Sequence, residues 1–213
     1  MTDQTDSERD PADSRSPARR AHVRIRTLAR LAGPLGAAIA LAGVFLAVAL
    51  SPTFSWTASA LSDLGVGPRT ALLFNGGLFV GGCLALGYAP LLSEDSRAVA
   101  AAYALCAVSM AGVGAFPFDD PLHYPAAVAF FALLAATLAL DGVRRRGTTT
   151  GRVSLLLAVA SAAAWPLWFA AGLGPGIAVP ELVGALSLAA WVLALAPPAP
   201  LSPLLSPPLR PSF

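Results

Sequence analysis

The chain has 213 residues, of which 56% are hydrophobic and only 12% charged, with a formal net charge of +2. Soluble domains carry about 25% charged residues, so this composition excludes an ordinary soluble globule and points to a membrane protein. Overall charge says little about partners, because the arginines crowd before residue 31 and there is no lysine.

Residues 1–28 mix both charges with Ser, Thr and Pro and offer too little apolar surface to offset the entropy of ordering. A disordered, Arg-rich cytoplasmic tail is expected there. Six apolar stretches follow, at about 29–50, 69–92, 98–116, 121–143, 152–172 and 180–197. Each approaches the roughly 20 residues needed to cross a hydrocarbon core about 30 Å thick. The last is the shortest. "AVA" at 47–49 resembles a signal-peptide cleavage site, but the preceding polar and apolar segments are both long for one. Residues 198–213 are too rich in proline for a helix and read as a second cytoplasmic tail.

The predicted fold is an all-α membrane protein, a bundle of six transmembrane helices in three up-down hairpins over residues 29–197. Arginines set its orientation. Arg15, Arg19, Arg20, Arg24, Arg26, Arg30, Arg97, Arg144, Arg145, Arg146, Arg152 and Arg210 fall on one side of the six spans, and only Arg69 on the other. The positive-inside tendency then predicts both termini in the cytoplasm and a cell-membrane location. Prolines 68, 121 and 180 stand where the chain re-enters from outside, as suits a residue with no N–H to leave unpaired.

Within "NGGLFVGGCLALGYA", Gly77, Gly81 and Ala85 form a small-xxx-small ladder that allows close helix approach. The second span is therefore expected at the centre of the bundle, with Asn75 facing protein. Pro166 interrupts the fifth span, and Trp165 or Trp168 is expected near the outer interface. Asp141 lies close to Arg144 and Arg145 and reads as an ion-paired acid at the inner end.

"SWTASALSDLG", residues 55–65, joins the first two spans. At 100° per residue Ser55, Ser59, Ser62 and Asp63 share one face of a short helix, while Trp56, Ala60, Leu61 and Leu64 share the other. Such a segment would lie along the outer interface or fold back over the bundle. The remaining outer polar groups are Arg69, Asp119, Asp120, His123 and Glu181. Ordinary roles exist for each: Asp120 before Pro121 as a cap, Glu181 in a helix first turn, Asp63 in a loop. Asp63, Asp120 and His123 are also the candidates for a general acid and base. Cys83 and Cys106 lack the spacing of metal or redox sites, so no metal centre and no cofactor are expected.

"LSPTFSWTASALSDLG", then "LLFNGGL", then "FPFDDPLHYPAAVAFF" resembles the family labelled domain of unknown function 998, over about residues 30–197. The resemblance implies an integral membrane protein and supplies no activity. More faintly, an acid after the first span and His123 ahead of Phe130 and Phe131 is similar to the Frag1/DRAM/Sfk1 group.

The leading functional reading is a non-catalytic membrane or lipid-interacting protein with a polar patch on its outer face. The alternatives are a small-solute transporter and an outward-facing enzyme using Asp63, Asp120 and His123. Intramembrane charge, the usual mark of an ion path, is scarce. Phosphate cradles, nucleophile elbows and nucleic-acid modules are missing from the sequence. Membrane lipids are the expected partners, with anionic headgroups near the Arg-rich tail. Nucleic acid is not expected, and a homo-oligomer stays open.

Overall fold

The first span does not begin at residue 29. In the computed structural model, which describes residues 17–198, a single helix α1 runs Pro17–Leu50. The arginine-rich segment before the apolar run is good helix-forming sequence, and once the span is nucleated each added residue contributes another backbone hydrogen bond. The disordered tail expected over residues 1–28 is thus shortened from its inner side. Its remainder, the C-terminal tail from 199 onward, Arg15 and Arg210 lie outside the described residues.

Beyond α1 come α2 (Ala71–Leu86), a one-turn α3 (Ala89–Ser93), α4 (Arg97–Ala115), α5 (His123–Arg144), α6 (Thr149–Ala170) and α7 (Ala178–Ala190). A π-turn, Trp191–Leu195, closes α7. Six segments are long and apolar enough to span a membrane, the second being α2 and α3 together and the last α7 with its π-turn. Their outward faces are apolar as well, with Leu72 85% exposed, which suits contact with lipid rather than water.

Small residues set the packing. A side chain on Gly81 would come within 2.7 Å of the Gly36 carbonyl, and one on Gly77 within 3.0 Å of the Gly43 Cα, so α1 and α2 touch backbone to backbone. On the opposite face of α2, a side chain on Gly82 would meet the Ala111 amide of α4 at 2.6 Å. Helix α2 is therefore clasped from both sides. The order continues from α4 to α5, and α7 returns against α5 and α1. These five helices surround an interior, and α6 buttresses α5 and α7 from outside.

All described arginines except Arg69 gather at one end, here called the arginine end. Arg26 pairs with Glu94 at 2.6 Å, and Arg144 pairs with Asp95. Deeper in, Asp141 is fully buried and saturated with donors. Its Oδ1 accepts Arg145 Nε at 2.7 Å, and its Oδ2 accepts a second Arg145 nitrogen, Ser154 Oγ at 2.9 Å and Trp191 Nε1 at 2.8 Å. Arg145 also reaches Thr150 Oγ1 at 3.0 Å and the Leu195 carbonyl at 2.7 Å. One carboxylate thus ties α5, α6 and α7 together.

Candidate functional site

The segment between α1 and α2 is a roof over the opposite end of the bundle. A short helix forms here and ends at Gly65 as expected, but it is confined to one 3-10 turn, Leu61–Gly65, and residues 55–60 do not join it. The reason is where their carbonyls go. Thr57 O accepts the Gly176 amide at 2.9 Å, and Ser59 O accepts the amides of Ile177 and Ala178 at 3.0 Å. Those acceptors, which a helix would use internally, instead strap the roof to the α6–α7 loop. Gly174, with φ 150°, and Gly176 are required there, because a side chain on either would collide with the backbone at Thr57 or Ser59. Trp168 Nε1 holds the same loop through the Gly176 carbonyl at 2.7 Å. At the other edge Thr70 Oγ1 donates to Leu64 O at 2.6 Å, and Asn75 Nδ2 to Gly65 O at 2.8 Å.

Beneath the roof lies a cavity, open on one side, with ≈ 80 Å³ of space accessible to a water-sized sphere. It is lined by α1, α2, α4, α5, α7 and the 3-10 turn, and its wall is apolar along most of its length. On α1 it runs from Gly33 to Val44. At 1.5 Å per residue that is about 16 Å, close to half of a hydrocarbon core about 30 Å thick. Toward the arginine end it stops at aromatic rings. Tyr103, which borders the cavity, packs edge-on against Tyr88 and tilted against Trp191, with centroids 5.8 Å from each. Trp191 is the ring whose nitrogen donates to Asp141, so the polar network at that end holds the cavity floor.

Three polar residues border the cavity beside the roof: Ser62, His123 and Glu181. All are buried, at 6%, 5% and 7% exposure. Glu181 Oε2 accepts the Leu61 amide at 2.6 Å, which leaves Oε1 without a protein partner among the described residues. His123 Nδ1 is 2.7 Å from the Phe116 carbonyl. A carbonyl only accepts, so Nδ1 is the donor of this bond, and Nε2 makes no hydrogen bond to described residues. Phe118 holds the imidazole edgewise at 5.7 Å. Ser62 Oγ makes no hydrogen bond to described residues. Asn75 Oδ1 and Tyr88 Oη are the sealed, unpartnered polar atoms of the described chain. The three leftover groups are not sealed, and the space they border is this cavity.

The other sequence candidates are placed elsewhere. Asp63 is exposed, and its Oδ2 accepts the Ala60 amide at 2.9 Å, closing the 3-10 turn. Asp120 Oδ1 accepts the Leu122 amide at 2.8 Å in the turn that starts α5. Asp119 and Arg69 are exposed, and Ser59 Oγ accepts the Ser55 amide at 3.2 Å. Of the expected outer patch, Ser62, His123 and Glu181 come together on the cavity, while Asp63 and Asp120 serve backbone amides. Tyr103 and Trp191 at the floor were not anticipated. Large aromatics in alanine-rich spans were the available signal. Among the described residues no group of His, Cys, Asp and Glu is arranged to hold a metal ion.

Six membrane-length helices, five of them around an interior cavity, make this a multi-pass integral membrane protein. The chain belongs to the family described as protein of unknown function DUF998, whose model matches residues 34–197 and so takes in the later part of the first span, the other five spans and the roof. No curated protein and no solved structure matches the chain. The similarity to the Frag1/DRAM/Sfk1 group stays a resemblance.

Proposed function

We propose that the protein is a non-catalytic lipid-binding membrane protein that holds one chain of an amphiphile inside its bundle. The carrying observation is the cavity: one leaflet deep, apolar along its shaft, blocked by Tyr103 and Trp191 at its floor, and polar only where Ser62, His123 and Glu181 meet the roof. That profile is the profile of a lipid, with a chain below and a head at the interface. The enzyme reading loses two of its residues to local roles, since Asp63 and Asp120 are turn-closing carboxylates that do not line the cavity. A solute path would have to pass the aromatic floor.

Placement in the cell follows from charge. The arginine end faces the cytoplasm, near anionic headgroups, and the roof faces out. Single cysteines at Val66 and Thr149, in a background with Cys83 and Cys106 replaced by alanine, should react with an impermeant reagent from outside and inside respectively. Reaction from the same side would refute the orientation.

Binding itself is tested by mass spectrometry of lipid retained through purification. Wild-type protein should retain a chain-bearing amphiphile near one per protein. Ala127→Phe, which fills the shaft, should lose it, and Ala132→Phe on the exposed face of α5 should keep it. Retention by Ala127→Phe equal to wild type, or none by wild type, would sink the proposal.

A further inference from the structure

The polar end of the cavity also specifies a head. We infer that the bound amphiphile carries a hydroxyl-bearing head and that a phosphate head is rejected. This rests on the cavity being a lipid site and goes on to name the lipid's chemistry.

The leftover valences are complementary to a hydroxyl. Glu181 Oε1 and His123 Nε2 are left over, because Oε2 is committed to the Leu61 amide and Nδ1 to the Phe116 carbonyl. Ser62 Oγ serves either way. Buried polar groups in folded proteins are nearly always hydrogen-bonded, so three together without partners call for a molecule that supplies O–H groups. A glycerol-type head has two, one to meet each of Oε1 and Nε2, and an oxygen for the serine.

Charge excludes the anion. No arginine borders this cavity, and Arg69, the arginine at this end, is exposed on the surface. A phosphate placed here would meet the Glu181 carboxyl with no arginine to offset it, in surroundings where such repulsion is poorly screened.

The test uses two lipids that differ only in the head, 1-oleoylglycerol and 1-oleoyl-lysophosphatidate, titrated into purified full-length protein in detergent. The glyceride should bind at least about tenfold tighter. Glu181→Gln sharpens the reading, because the Leu61 N–H will still require an oxygen and so will turn the amide NH₂ toward the cavity. A donor then replaces an acceptor, and the preference should fall to about threefold or less. Equal or tighter binding of the phosphate lipid to wild type, with both lipids lost in Ala127→Phe, overturns the head assignment and leaves the chain site standing. Failure of both lipids to bind wild type, or undiminished binding of both to Ala127→Phe, overturns the chain site and this inference together. An unchanged preference in Glu181→Gln removes the carboxyl from the assignment and overturns it as argued.

Discussion

Among the described residues two acids are buried, one at each end, and their surroundings differ in one respect. Asp141 accepts from Arg145, Ser154 and Trp191 on three elements, so both of its oxygens are occupied. Glu181 accepts a single backbone amide and has an oxygen left over beside a cavity. Burial is shared, at 0% and 7% exposure. Burial alone therefore does not mark a site. What distinguishes structure from function here is the valence left unfilled.

The sharpest way to break that contrast is to remove the saturated acid. Asp141→Ala leaves Arg145 as a mostly buried cation, its side chain 16% exposed, and leaves Trp191 Nε1 without an acceptor. Loss of one partner of a buried pair costs about 3–5 kcal/mol. Denaturation in mixed micelles should show a loss of that order, with lipid retention falling as the floor loosens. A loss below about 1 kcal/mol would mean that Asp141 is no anchor and that the two acids are alike.

Next in size is the strap that closes the Glu181 end. Gly176→Val places a side chain against the Ser59 backbone, which has no flexible end to move aside. Overpacking of this kind costs about 1–3 kcal/mol. Gly147→Val is the control, since nothing lies within 4 Å of its added side chain. Melting temperatures in detergent should separate the two, and the roof variant should also release bound lipid. Matching melting curves would show that the roof is not held by this strap.

These two ends were unequally legible in the sequence. Six apolar runs gave the spans because hydrocarbon thickness fixes their length, and the glycine spacing on α2 was visible because helix periodicity alone puts Gly77 and Gly81 on one face. The pairing of Asp141 with a nearby arginine was within reach, since Arg145 is one helical turn away. Ser154 and Trp191 come from other helices, and no local pattern announces them. The start of α1 was misplaced because composition measures surface available for burial and takes no account of a helix propagating out of a span. Glu181 was noticed, but as a first-turn acid favoured by the helix dipole. That its Oε2 would meet Leu61, 120 positions away, depends on the roof folding back. Asp63, the more conspicuous acid, stands in a stretch whose helical periodicity was interrupted by tertiary hydrogen bonds.

The unsaturated acid should tolerate what the saturated one does not. Glu181→Gln keeps an oxygen for the Leu61 amide, so its loss of stability should stay below about 1 kcal/mol in the same micelle assay. A loss as large as that of Asp141→Ala would show that Glu181 holds the fold and would undo the distinction drawn between the ends.

The smallest effect is expected at Asp63, and it decides whether that residue belongs to the site beneath it. Its carboxylate is exposed and accepts the Ala60 amide, a role that requires an oxygen and no charge. Asn supplies that oxygen, whereas Ala removes the hydrogen bond at about 0.5–1.5 kcal/mol. Asp63→Asn should therefore be nearly silent in stability and in lipid retention, and Asp63→Ala should affect stability alone. His123 is held by Phe116 and Phe118 on the far side of the roof, so Asp63→Asn combined with His123→Ala should equal the sum of the single changes within about 0.3–0.5 kcal/mol. A coupling beyond that range would tie Asp63 to the polar end of the cavity and restore the acid and imidazole pair as a working unit.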